Sequence, residues 1–87
     1  YPNTKHHFLI IPKRHIELLS KLSSQDLQSV LYLSNWATRE FNIKGGGLII
    51  RFGDTLYTGA TIKHLHAHLI VPTIEKGQVS PVYFPIG

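Results

Sequence analysis

The stretch KHLHAHLIVP (Lys63 to Pro72) carries three of the chain's six histidines, at alternate positions and separated by apolar residues. Because side chains alternate between the two faces of a β-strand, the pattern predicts a strand with one histidine face and one apolar face. The histidine face holds His64, His66 and His68. The apolar face, which is expected to pack in the core, holds Leu65, Ala67 and Leu69. Three histidines on one face are compatible with a metal site, a catalytic site or an exposed polar surface.

The spacing of the histidines does not favour a metal site. Neighbouring histidines on one face of a strand are roughly 6.6 Å apart, and the outer two about 13 Å apart. A tetrahedral zinc ion with bonds of about 2.0–2.1 Å holds its nitrogens within roughly 3.4 Å of each other. A complete site would need His6, His7, His15 or a carboxylate, and none of the five carboxylates lies near the triplet in sequence. We therefore expect no metal and no other cofactor.

The spacing of the three histidines favours a catalytic site. A neutral imidazole is a good nucleophile toward phosphorus, and its ordinary pKa near 6.5 keeps a usable neutral fraction at pH 7. If His66 attacks, His64 and His68 flank it and can donate hydrogen bonds to the oxygens on which charge accumulates. An exposed polar face remains the structural alternative, although three histidines opposite a fully apolar face suit it poorly.

Three strands are predicted. The run from Phe8 to Ile11 is ended by Pro12, the segment GLIIRF at 47–52 follows a glycine triplet, and the histidine segment is the third. The tail from Pro72 onward holds three of the five prolines and is expected to be irregular.

One long helix is predicted between the first two strands. Ser23, followed three residues later by Asp26, has the spacing of a capping box, and KGGG (Lys44 to Gly47) is expected to end the helix. The side chains expected to form its buried stripe are Leu27, Val30, Leu31, Ala37 and Phe41. Trp36 and Tyr32 lie off that stripe, where second-layer packing or a subunit contact is expected.

The predicted fold class is α+β, a mainly antiparallel sheet with one long helix packed on it, in a single domain at 1–87. Three strands are few for a stable sheet, and the sequence contains no methionine. We therefore expect that the domain lacks its first strands here, or that a partner supplies part of the sheet.

Composition limits the classes of binding partner that we expect. The net charge of +4 comes from nine scattered Lys/Arg residues against five Asp/Glu, which suits a small anionic ligand better than a long nucleic acid. No apolar run approaches the roughly 18 residues that span a bilayer, so no membrane partner is expected. The absence of cysteine excludes disulfides and cysteine nucleophiles and is compatible with the cytoplasmic location that we expect.

Three motifs together resemble one family. HLHAHLI matches the H-φ-H-φ-H-φ-φ signature of the histidine triad (HIT) superfamily of nucleotide hydrolases and transferases. FLIIPKRHIELLSKLS is similar to the family's strand, Pro-Lys element and fourth histidine, which places His15 at that position. GATIKH resembles the family's G-Q-[ST]-V-x-H segment, with Gly59 and Thr61 at the glycine and hydroxyl positions. The resemblance covers about Thr4 to Pro72 and implies a HIT-like fold that forms a homodimer.

The resemblance also implies a two-step reaction. His66 would attack the α-phosphorus of a nucleoside phosphate to give a nucleotidyl-histidine, and water or another acceptor would then release the nucleotide. His64 would assist the nucleophile through its backbone carbonyl and its protonation. The residues implied to contact substrate phosphate are His15, His68, Thr61 and Gly59. The implied substrate is a purine dinucleoside polyphosphate or nucleoside phosphoramidate, with no obligatory metal.

Two positions depart from the family's pattern and leave the substrate open. Ala60 stands where hydrolases of the family usually carry Gln, and Arg51 lies near a usual Asn. Arg51 can meet an anionic phosphate or pair with Asp54. Two other functions are consistent with the motifs. One is phosphorolysis of a diadenosine polyphosphate, and the other is a nucleotide-binding module without turnover.

Overall fold

The structure, a computed structural model, describes residues 3–60 and 64–87. Within them the strands are β1 Thr4–Ile10, β2 Gly47–Arg51, β3 His66–Glu75 and β4 Gln78–Ser80. The helices are α1 Ser24–Glu40 and α2 Thr55–Thr58, with a 3₁₀ turn at Leu19–Lys21. The predicted α+β class, an antiparallel sheet with one long helix packed on it, is confirmed. No helix in the described ranges is long and apolar enough to cross a membrane.

The strand that carries the histidines lies at the centre of the sheet. β3 pairs antiparallel with β1 on one side and with β2 on the other, and its distal end pairs with β4. β1 ends at Ile10, opposite Ala67, shortly before Pro12. Because proline cannot donate a ladder hydrogen bond, the pairing of β1 with β3 stops there. β3 accordingly begins at His66, and the predicted strand start at His64 is wrong.

The apolar face of β3 is the core, as predicted. Leu65 is 1% exposed and Ala67 0%. Phe8 lies opposite Leu69 in the register, and its ring centroid is 5.1 Å from that of Phe41 at the end of α1. The helix therefore covers this face.

The opposite face of β3 is also covered. His66 is 8% exposed and His68 7%, so these two histidines are not on an open polar surface. The ring of Phe84, from the segment after β4, packs against His68 with centroids 4.9 Å apart. The exposed polar surface is thereby excluded for His66 and His68.

The capping box at the start of α1 is confirmed, but the predicted end of the helix is wrong in its detail. The Ser23 side chain accepts from the Asp26 N–H, and the Asp26 carboxylate accepts from the Ser23 N–H. At the other end Ile43 N donates to Thr38 O at 2.9 Å, and Asn42 takes the left-handed conformation with φ 51°. This is a Schellman ending completed by asparagine, before the glycines are reached.

The buried row of α1 is narrower than predicted. Val30 and Ala37 are buried as expected, together with Ser34, whose hydroxyl donates to the Val30 carbonyl at 2.7 Å. Ser34 and Ala37 are small and allow close approach to the sheet. Three of the predicted core residues are instead exposed, Leu27 by 46%, Leu31 by 57% and Phe41 by 42%. Among the described residues the sheet meets the helix along one row only, which leaves the flanking side chains uncovered.

The tail is more regular than predicted, because β3 continues past Pro72 and turns back into β4. Lys76 and Gly77 connect the two strands with φ values of 53° and 76°. Positive φ at both turn residues matches the right-handed twist of a two-residue hairpin. Lys-Gly lacks the Asn-Gly or Asp-Gly signal of such turns, which explains why the sequence did not reveal it.

Candidate active site

Two fully buried residues join the segment after β1 to the start of β3. Leu65 and Ile16 are 1% and 2% exposed, and Leu65 N donates to Ile16 O at 2.6 Å. Their sequence neighbours, His64 and His15, are thereby brought together although they are 49 positions apart in the chain.

The contacts of His64 fix its tautomer. Its Nε2 lies 3.0 Å from the carbonyl oxygen of Pro12, which can only accept a hydrogen bond, so Nε2 carries a proton. Its Nδ1 lies 3.0 Å from Nδ1 of His15. In neutral His64 this nitrogen accepts, so the proton between the two rings belongs to His15. The other ring nitrogen of His15 lies 3.8 Å from a carboxylate oxygen of Glu17.

The tautomer of His66 is fixed in the same way. Its Nδ1 lies 2.8 Å from the carbonyl oxygen of His64 and therefore donates to it. In the neutral ring the lone pair is then on Nε2. The backbone of one histidine thus determines which nitrogen of the next is nucleophilic.

His68 lies beside His66, with ring centroids 4.7 Å apart in an edge-to-face arrangement. Its Nδ1 is 2.8 Å from Nε2 of His7, on β1. Its own Nε2 is buried and has no hydrogen-bond partner among the described residues. Burial, followed by the positive charges of His66, His7 and Arg51, lowers the pKa of His68 to about 4. At neutral pH His68 is therefore uncharged.

The pKa of His68 predicts how stability depends on pH. An unfolded histidine has a pKa near 6.5, whereas folded His68 stays neutral down to about pH 4. Between these values the unfolded chain binds a proton that the folded chain does not, so the free energy of unfolding should fall as the pH drops from 6.5 to 4. Urea titrations across this range should show a shallower fall in His68→Gln. An unchanged slope in that variant would contradict the assignment.

The other predicted phosphate contacts lie at the end of α2 and beyond it. Gly59 caps this helix with φ 72° and lies against the backbone of Gly87, so a side chain there would collide with the tail. Gly87 N also donates to Thr58 O at 3.2 Å. Thr61 lies outside the described residues.

The sequence assigns no catalytic role to His7. For Arg51 it allows two partners, an anionic phosphate or Asp54. The sequence suggests His7 only as a possible metal ligand, yet it contacts the third histidine of the triplet. Alternation along β1 places His7 on the same face as Leu9, but the pairing of Leu9 with His68 comes from the register of the two strands, which the sequence does not show. Arg51 donates to the carbonyl of Pro85 at 2.5 Å, while the Asp54 carboxylate accepts from the N–H of Leu56.

No cluster of three or more potential metal ligands occurs within residues 3–60 and 64–87. Five of the six described histidines come together in the site: His15 pairs with His64, His7 pairs with His68, and His66 lies between His64 and His68 in the chain. This arrangement provides one nitrogen lone pair with its proton held on the far side of the ring, flanked by further imidazoles. Such a group can attack an electrophilic centre and transfer protons around it.

Comparison with known proteins identifies similar sequences. The model of the HIT domain matches residues 1–74. An uncharacterized HIT-like protein of Chlamydia muridarum is 34% identical over 73 residues, covering 80% of this chain and 57% of that protein. A similar HIT-like protein of Chlamydia trachomatis is 33% identical, covering 80% of this chain and 65% of that protein.

A more distant relative carries an activity in its name. The adenosine 5′-monophosphoramidase HINT3 of Xenopus tropicalis is 25% identical over 88 residues, covering 99% of this chain and 58% of that protein. The chain thus spans between 57% and 65% of the length of these relatives. No solved structure is significantly similar to the chain.

Proposed function

The chain belongs to the HIT domain family, and from this premise we propose that it acts on nucleoside phosphates as a hydrolase or nucleotidyltransferase through a nucleotidyl-histidine at His66. The observation that carries the proposal is the hydrogen bond of 2.8 Å from His66 Nδ1 to the carbonyl of His64. It holds the proton away from Nε2 and leaves that lone pair for phosphorus. Attack forms a bond from Nε2 to the α-phosphorus, and the leaving group departs with the electron pair of the broken bond.

The backbone carbonyl also stabilises the product of attack. The imidazole becomes positively charged when Nε2 bonds to phosphorus, and its Nδ1–H then donates more strongly to the His64 oxygen. His64, whose ring contacts His15, is the proposed source of a proton for the leaving group. His68 presents a neutral, buried Nε2, which in the Nε2-protonated tautomer donates to a phosphate oxygen. Gly59 and Thr61 are proposed to complete the phosphate site.

Two substrates test the proposal. Adenosine phosphoramidate is chosen because a relative is named as a monophosphoramidase, and a dinucleoside tetraphosphate represents the polyphosphates. Release of AMP from either one supports the proposal. Phosphorolysis would instead require inorganic phosphate and yield a nucleoside diphosphate. Nucleotide binding without release of product would show a binding module and refute the catalytic proposal.

We also propose a homodimer. Among the described residues, α1 exposes a group of large apolar side chains outside its buried row, and exposed apolar surface is typical of interaction sites. The group consists of Leu27, Leu31, Tyr32, Leu33 and Trp36. Light scattering of the intact protein at micromolar concentration should give twice the monomer mass, which for this chain is 9.9 kDa. Trp36→Glu places a charge in the group and should shift the mass toward that of the monomer. A monomer mass for the unaltered protein would contradict the proposal.

A further inference from the structure

Arg51 carries a permanent positive charge close to His66 and His68. Arg51 is the register partner of His66 on the neighbouring strand. Residues opposite each other in an antiparallel pair share a face, with Cβ atoms about 4.5–5.5 Å apart. Arg51 is also one of the charges that lower the pKa of His68. Its side chain therefore belongs to the same face as the proposed nucleophile.

The guanidinium is held in place by the segment after β4. Its central carbon lies 4.3 Å from the centroid of the Phe84 ring, and that ring packs on His68. Nη2 of Arg51 donates to the carbonyl oxygen of Pro85 at 2.5 Å. Stacking on an aromatic face and a bond to a carbonyl both restrict a planar guanidinium. The charge is thus oriented on the histidine face instead of extending into solvent.

We propose that Arg51 is a specificity-determining residue that selects substrates whose leaving group is an ionised phosphate, such as nucleoside polyphosphates. The inference rests on the function proposed above and names the substrate class of that same site.

The chemistry of the leaving group gives the reason. When His66 Nε2 bonds to the α-phosphorus of a polyphosphate, the bond from phosphorus to the bridging oxygen breaks and its electron pair stays on that oxygen. The leaving phosphate therefore gains one negative charge, which a guanidinium stabilises by charge-assisted hydrogen bonds. A phosphoramidate breaks a phosphorus–nitrogen bond, and the departing nitrogen takes a proton and leaves as a neutral amine. Arg51 assists the first reaction and contributes little to the second.

The test compares two substrates in three variants. Arg51→Gln removes the charge, and Arg51→Lys keeps the charge but loses the planar fork. Arg39→Gln, at an exposed position of α1, removes the same charge away from the site. For each protein, kcat/KM is measured with a dinucleoside tetraphosphate and with adenosine phosphoramidate. The ratio of the two values does not depend on how much of a variant is folded.

Arg51→Gln should lower kcat/KM for the tetraphosphate by about 10- to 100-fold, the effect of losing a charged hydrogen bond. The phosphoramidate should change by less than about threefold, Arg51→Lys should be intermediate, and Arg39→Gln should leave the ratio unchanged. Equal losses with both substrates would show that Arg51 only anchors Phe84 and Pro85, and would overturn the inference while the proposed function stands. No turnover of either substrate by the unaltered protein would overturn both.

Discussion

His66→Ala should abolish the covalent step and lower turnover by several orders of magnitude while nucleotide binding persists. The side chain lies on the face opposite Leu65 and Ala67, so truncation leaves the apolar core intact. The substitution also removes the hydrogen bond from His66 Nδ1 to the carbonyl oxygen of His64, which loses this one donor. Removing a nucleophile is more costly than removing a single group that stabilises the transition state, because no other described side chain takes the same position.

Variants of the flanking histidines provide the comparison. His64→Ala, His68→Ala and His15→Ala each remove one imidazole and should cost roughly 1.5–3 kcal/mol of transition-state stabilisation if the lost bond is charge-assisted. The covalent intermediate can be detected directly by mass spectrometry of the peptide spanning residues 63–72 after a quench without acid. A phosphoramidate bond should survive alkali and break in mild acid. An adduct on another residue, or near-normal turnover of His66→Ala, would contradict the mechanism.

The sequence predicted the family and the class of fold because both depend on local patterns. Alternating histidines and apolar residues indicate a strand. Ser23 and Asp26, only three positions apart, indicate a helix start without any information from the rest of the chain. The family assignment from HLHAHLI is confirmed by the match to the HIT domain. The α+β class followed from the same periodicities.

Local patterns could not indicate which histidines meet. The contact of His7 with His68 depends on the register of β1 against β3, and the contact of His64 with His15 depends on the bond between Leu65 and Ile16. Neither is encoded by spacing along one segment. The Lys-Gly turn was missed for another reason, since lysine rarely adopts the positive φ that the hairpin needs.

The apolar periodicity of α1 also predicted its buried residues only in part. Leu27 and Leu31 have the spacing of core residues, but the described part of the sheet meets α1 along one row that passes through Val30 and Ala37. The sequence specifies an apolar stripe and does not specify what covers it. A partner surface is one way to cover it, and this is the basis of the dimer proposal.

Leu65→Ala should produce the largest loss of stability among single substitutions near the site. Leu65 is 1% exposed and packs where the segment after β1 crosses the start of β3. Truncating a buried leucine costs about 2–5 kcal/mol, which in a domain of this size lowers Tm by on the order of 10 °C or more. Leu56→Ala is the matched control, because the same atoms are removed from a side chain that is 80% exposed. Its Tm should remain close to that of the unaltered protein.

The same substitution should also weaken the site before the protein unfolds. Leu65 and Ile16 hold His64 and His15 at 3.0 Å, and the carbonyl of His64 in turn fixes the tautomer of His66. A cavity at Leu65 loosens the backbone that carries this carbonyl, so kcat should fall at temperatures where Leu65→Ala is still folded by circular dichroism. Leu56→Ala should retain full kcat under the same conditions. If Leu65→Ala loses stability but keeps kcat, the buried pair supports the fold without positioning the histidines.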